Sequence, residues 1–158
     1  MLDAEYISEL TIAVLNGPQN KKRTLEEYYQ QYETLFEARE EVWNLFVKIL
    51  GEIDQLLPNI SKTRWRKKSD FYTLFLSLAK RQAKLPMTGD AREKVASALN
   101  DFSSTVDALI SEAVAPENVS ADVQKYLRNV ERAASDLGSR KAREQVMDNL
   151  LQPIVGDA

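Results

Sequence analysis

The stretch "FYTLFLSLA", residues 71–79, limits most strongly what this chain can become. At helical spacing Phe71, Leu74, Phe75 and Leu78 share one face, and Tyr72, Leu76, Ala79 and Ala83 fill an adjacent stripe. A helix apolar over so much of its circumference must be wrapped by other helices, which places it at the centre of a bundle. The run has only nine residues, whereas a membrane span needs roughly twenty. Its aromatic rings are read as core rather than as a base-stacking platform, because stacking surfaces must stay exposed.

The rest of the chain supplies the wrapping. Its five glycines and five prolines fall between periodic segments, which reads as helices with short connections. A first helix covers about Asp3 to Leu15 and is stopped by "NGP" at 16–18. Thr24 opens a second, with Glu27 three residues on as a capping box. Val42, Leu45, Phe46, Ile49, Leu50, Ile53, Leu56 and Leu57 mark one face of a helix closing before Pro58. The central helix is expected from about Thr63 to Leu85. After "PMTGDARE", Asp90 and Glu93 cap a helix whose inner face is Val95, Leu99, Phe102, Val106, Leu109 and Ile110. Val123, Tyr126, Leu127, Val130 and Ala134 stripe the next, ending near Leu137–Gly138. Ser139 opens the last, which carries Val146, Met147, Leu150 and Leu151 and stops before Pro153. No segment alternates as a strand does. The expectation is an all-α bundle of six or seven helices, one domain over 1–158, with Pro86–Gly89 separating sub-bundles 1–86 and 89–158 that share a core.

The residue types that are missing narrow the chemistry. No cysteine occurs, which excludes disulfides and thiolate zinc sites and makes a reducing cytoplasm the natural compartment. The N-terminus "MLDAEYISEL" is acidic and does not read as a signal peptide. No histidine occurs, which removes the Ser-His-Asp triad, HNH-type nuclease chemistry and His-ligated metal sites. No two glycines stand five apart and no G-x-G occurs, so neither phosphate-cradling loop is present. No lysine has an acid two positions before it, a pattern common in magnesium nucleases. Glu26–Glu27 and Glu40–Glu41, with Glu33 and Glu37, could bind a metal, but their spacing reads first as a solvated helix face. The expectation is a chain without catalysis, metal or cofactor.

Charge is distributed unevenly. Thr24 to Leu57 carries eight acidic and two basic residues, whereas Asn59 to Lys84 carries eight basic residues and Asp70. Lys62, Arg64, Arg66, Lys67 and Lys68 crowd the start of the central helix, where cations oppose the helix dipole. Arg140, Lys141 and Arg143 crowd the start of the last helix. Two compensations are open: antiparallel packing against the acidic helices, or external phosphate bound at the eight positions together. The overall net charge of −3 is not that of a nucleic-acid-type polycation.

Three stretches in order, "SELTIAVLNGPQNKKRTLEEYYQQY" (8–32), "RWRKKSDFYTLFLSLA" (64–79) and "SDLGSRKAREQVMDNLL" (135–151), resemble the helical C-terminal half of a large bacterial family. Its full-length members join a ParB-like nucleotide-hydrolysing N-terminal domain to this helical region, and many continue into an HNH nuclease domain. They include GmrSD-type modification-dependent restriction enzymes and related anti-phage defence proteins. The "DGQQR"-like signature of the ParB-like domain and the nuclease domain are both absent here. Where the family's last motif often has histidine, this chain reads "KAREQV", with Glu144 at that position. The resemblance therefore implies a non-catalytic helical domain that positions DNA or couples DNA sensing to ParB-like and HNH domains elsewhere. The alternative is a helical protein-interaction or oligomerisation module without nucleic-acid contact. Neither reading involves a membrane.

Overall fold

In the computed structural model, residues 4–32 and 36–156 are described. They form seven α-helices and, among the described residues, no strand: α1 Ala4–Asn16, α2 Lys21–Tyr32, α3 Arg39–Leu56, α4 Lys68–Lys80, α5 Gly89–Ile110, α6 Ala121–Glu131 and α7 Leu137–Val155. The chain is an all-α bundle. Helix α1 stops at "NGP" because Gly17 adopts a left-handed φ of 77°, a conformation that ends helices at little cost only for glycine.

Helix α4 is the axis of the bundle. Leu74, Phe75 and Leu78 have no accessible surface, Tyr72, Leu76 and Ala79 are also buried, and Phe71 is half-buried. Ala83, expected in the same stripe, lies beyond the helix and is exposed. The Phe75 ring meets Phe46 of α3 at 4.7 Å between centroids, and Phe71 meets Tyr6 of α1 at 6.5 Å. The apolar core extends from Tyr6 to Leu151 and includes residues on both sides of Pro86.

Several boundaries differ from those expected, and tertiary contacts give the reason. The central helix begins at Lys68 rather than near Thr63, because Ile60–Lys62 and Arg64–Arg66 are single 3-10 turns. There the Trp65 side chain is pulled into the core, where its Nε1 donates to the Leu99 carbonyl at 3.0 Å and its ring stacks near Phe102. Lys67 is extended at ψ 137°, so the α-helix starts only after it. Helix α2 begins at Lys21, ahead of Thr24, and α5 begins at Gly89, leaving Asp90 inside the first turn to pair with Lys94. Helix α6 ends at Glu131, short of Leu137, and α7 starts there rather than at Ser139. Pro153 does not stop α7, which runs on to Val155. Proline lacks the N–H that a helix interior needs, but here only two helical residues follow it.

Candidate functional site

The eight basic positions separate into two groups. Lys62, Arg66, Lys67, Lys68 and Lys141 are exposed, whereas Arg64, Arg140 and Arg143 are buried. The expectation that all eight present one phosphate-facing surface is therefore corrected for those three arginines. Their guanidinium groups are held inside by specific acceptors, as buried cations require.

Arg64 donates through Nε to Asp70 Oδ1 at 3.2 Å and through Nη1 to Asp107 Oδ1 at 3.1 Å. The Tyr126 hydroxyl donates to the same Asp70 oxygen at 2.7 Å. Arg140 donates through Nη2 to Glu9 Oε2 at 2.7 Å and lies over the Tyr72 ring, 4.1 Å from its centroid. Arg143 donates through Nε to Thr73 Oγ1 at 3.0 Å, and its other nitrogens donate to the Asn129 and Ala134 carbonyls. Below them Arg81, also buried, bonds Asp148 at 2.9 Å and the Ser77 carbonyl at 3.1 Å. Asp70, Thr73, Ser77 and Arg81 thus form a buried polar edge along α4, turned toward α6 and α7. Charge compensation is internal for Arg64, Arg140 and Arg81, but not through the acidic second and third helices, while Arg143 is held by neutral oxygens. The acids come from α1, α4, α5 and α7, while Glu52 of α3 pairs with Arg92 of α5.

Burial acts on the tyrosines of this interior. It raises the hydroxyls of Tyr126, Tyr6 and Tyr72 above the usual tyrosine pKa of 10.0, and the Asp70 carboxylate raises Tyr126 further. The fold therefore holds these groups neutral, while the unfolded chain ionises them near the usual value. That contribution to stability is fully present below pH 10 and declines as pH rises above it. Tyr126 alone then removes about 1.4 kcal/mol per pH unit until its own folded pKa is reached. Denaturant unfolding at increasing alkaline pH checks this, and Tyr126→Phe should flatten the slope; an equal slope in that variant rules out the assignment.

The surface carries a second feature. Helix α3 has two apolar stripes. Val42, Ile49, Ile53 and Leu56 face the core, while Trp43, Val47 and Leu50, spaced 0, 4 and 7, face outward. Trp43 is 68% exposed. With Ile7 of α1, Phe36 and Phe46, these three line an open groove of about 730 Å³ whose rim carries Glu37, Arg39 and Glu40. Contiguous exposed apolar surface of this kind marks an interaction site far more often than isolated apolar residues do. Leu50, read from the sequence as inward-facing, belongs to this outer stripe. The spacing of Trp43 and Val47 was the available signal, since a helix with a single buried face leaves those positions polar.

The carboxylates considered for a metal do not gather. Glu26, Glu27, Glu37, Glu40 and Glu41 are exposed, and Glu33 lies outside the described residues. Among the described residues no group of three or more acidic side chains could hold a metal ion. No described helix is long and apolar enough to cross a membrane. No family model, curated protein or solved structure matches the chain. The resemblance to the helical region of the restriction and defence family rests on the three stretches quoted above.

Proposed function

We propose that the chain is a helical interaction module that receives a basic amphipathic helix of a partner protein in the groove between α1 and α3. The observation that carries this reading is Trp43, a large aromatic side chain left 68% exposed at the head of an apolar stripe. Buried aromatic anchors dominate the energetics of protein interfaces. An amphipathic helix laid into an apolar groove is a recurrent recognition mode. The charge around the groove selects the occupant: Glu37, Glu40, Glu41 and Asp54 are all exposed on or beside α3, against Arg39 and Lys48. A second copy of the chain would bring the same acidic rim against itself, whereas a lysine- or arginine-flanked helix complements it.

A second reading is favoured by the exposed Lys62, Arg66, Lys67 and Lys141 and by the family resemblance. In it the chain positions duplex DNA for enzymatic domains of a restriction or defence protein through phosphate contacts.

Fluorescence anisotropy of a labelled, lysine-flanked amphipathic peptide separates the two. Binding should occur, and Trp43→Ala should weaken it by about 2 kcal/mol, roughly thirtyfold in Kd. The same substitution should leave the melting temperature nearly unchanged, because the side chain is mostly solvated. A glutamate-flanked peptide with the same apolar residues should bind poorly. Equal binding of both peptides, or no binding of either, sinks the interaction reading. Duplex binding with a Kd of about 10⁻⁴–10⁻⁶ M at physiological salt, lost in Arg66→Ala/Lys67→Ala, would put DNA in its place.

A further inference from the structure

The groove between α1 and α3 continues past its own rim. A second cleft, of about 580 Å³, opens between α1 and α2, and Thr11 and Phe36 belong to the walls of both. Among the described residues six large apolar side chains are left exposed, and five of them lie in these two clefts: Ile7, Trp43, Val47 and Leu50 in the first, Tyr29 in the second. The exposed apolar surface is thus gathered into one band that crosses Phe36, whereas exposed apolar residues on an ordinary surface are scattered singly.

The two halves of the band differ in chemistry. The floor beside α3 is Ile7, Trp43, Phe46, Val47 and Leu50, almost wholly hydrocarbon. The half between α1 and α2 is lined by Tyr28, Tyr29, Tyr32 and Phe36, with Thr11 and Gln30. Tyr28 and Tyr32, one helical turn apart, hold their rings 6.3 Å apart and within 10° of parallel, and Phe36 extends the row 5.2 Å beyond Tyr32. Each tyrosine combines an apolar face with a hydroxyl that can donate, and the Gln30 amide can donate as well. A helix closes its own backbone hydrogen bonds and asks only for an apolar wall. An extended segment leaves its carbonyls open and needs donors beside the apolar surface. A proline-rich segment fits such a wall best. Its prolines have no N–H to satisfy, its extended form exists before binding, and aromatic-lined grooves are its usual seat.

We infer that the second cleft receives a basic, proline-rich extended segment of the same partner, directly adjoining the helix seated between α1 and α3. This inference rests on the helix-in-groove reading and extends it along the chain of the partner. Glu26 in the wall of the second cleft and Glu37 on the rim of the first are both exposed. They continue the acidic border, which favours lysine or arginine among the prolines. Phe36, common to both clefts, marks the joint at which the helix of the partner gives way to extended chain. A segment already extended in solution loses little freedom on docking, so its contacts add to affinity at small entropic cost.

The test measures fluorescence anisotropy of labelled peptides with the full chain. One peptide is the lysine-flanked amphipathic helix alone. Two others add a tail of about six residues, rich in proline and carrying lysine, at its N-terminal or its C-terminal end. Matched controls replace the prolines of each tail with glycine and serine and keep its lysines. One of the two proline tails should tighten binding about tenfold over its control. Tyr29→Ala should remove that gain and leave the Kd of the tail-less helix unchanged. Tyr29 is 48% exposed, so the variant should keep its melting temperature. Tyr28→Phe/Tyr32→Phe, which keeps both rings and removes two donors, should lose part of the gain. Trp43→Ala should weaken every peptide. If the helix binds but neither proline tail exceeds its control, this inference is overturned and the helix reading stands. A gain that survives both Tyr29→Ala and Tyr28→Phe/Tyr32→Phe also overturns it, because the tail then lies elsewhere. Binding of none of the peptides overturns both readings together.

Discussion

Asp70→Asn should destabilise the protein by about 3–5 kcal/mol, the range found when one member of a buried ion pair is removed. Asp70 has no accessible surface and accepts from Arg64 Nε, Arg64 Nη2 and the Tyr126 hydroxyl. Asparagine keeps the shape but removes the charge and turns one oxygen into a donor facing a guanidinium. Arg64 would be left, 2% exposed, with Asp107 alone, whose side chain is nearly half in water. Urea unfolding of the variant measures the loss. A change under about 1 kcal/mol would mean that Asp107 suffices to compensate Arg64, and that the bond from Tyr126 contributes little.

Phe75→Ala should cost a similar amount by a different route, about 3–5 kcal/mol for a buried phenylalanine truncated to alanine. The ring is fully buried between α3 and α4, against Phe46 on one side and Phe71 along its own helix. Its removal leaves a void that neighbouring backbones cannot close, since helices repack far less readily than side chains. The two variants differ in salt response. Loss of Phe75 should be insensitive to salt concentration, whereas Asp70→Asn leaves Arg64 on the half-exposed Asp107 alone, a pair that salt screens more than a fully buried one. A melting temperature unchanged by Phe75→Ala would displace α4 from the centre of the bundle.

How much of this was legible in the sequence depends on whether a residue's environment follows from its neighbours along the chain. Leu74, Phe75 and Leu78 were readable because helical periodicity alone places them on one face. Residues 60–67 were not, because Trp65 and Arg64 leave helical geometry to reach Leu99, Ser103 and Asp107 on α5, some forty positions away. The basic helix starts were visible as charge but not as location. Arginine at a helix start looks the same whether it faces water or a buried carboxylate. Two residues held the missing information: Asp70, the one acid in a basic stretch, and Asp107, beside the inward-facing Val106. Glu9 offered no such mark, since its partner Arg140 lies at the other end of the chain. The outer stripe of α3 was legible in principle, yet the stronger inner stripe overlaps it at Leu50.

The polar edge of α4 also bears on how the protein is made. During synthesis α1 and α3 precede α4, and they cover its aromatic side, where Phe71 meets Tyr6 and Phe75 meets Phe46. The partners of Asp70, Thr73 and Arg81 on α6 and α7, namely Tyr126, Arg143 and Asp148, emerge from the ribosome after α4. The flank that waits longest for its cover is therefore the one bearing hydroxyls and charges, which water solvates well in the interim. A nascent chain halted before α6 leaves Asp70, Thr73 and Arg81 in water, while Phe102 of α5 still lacks the Tyr126 ring that covers it.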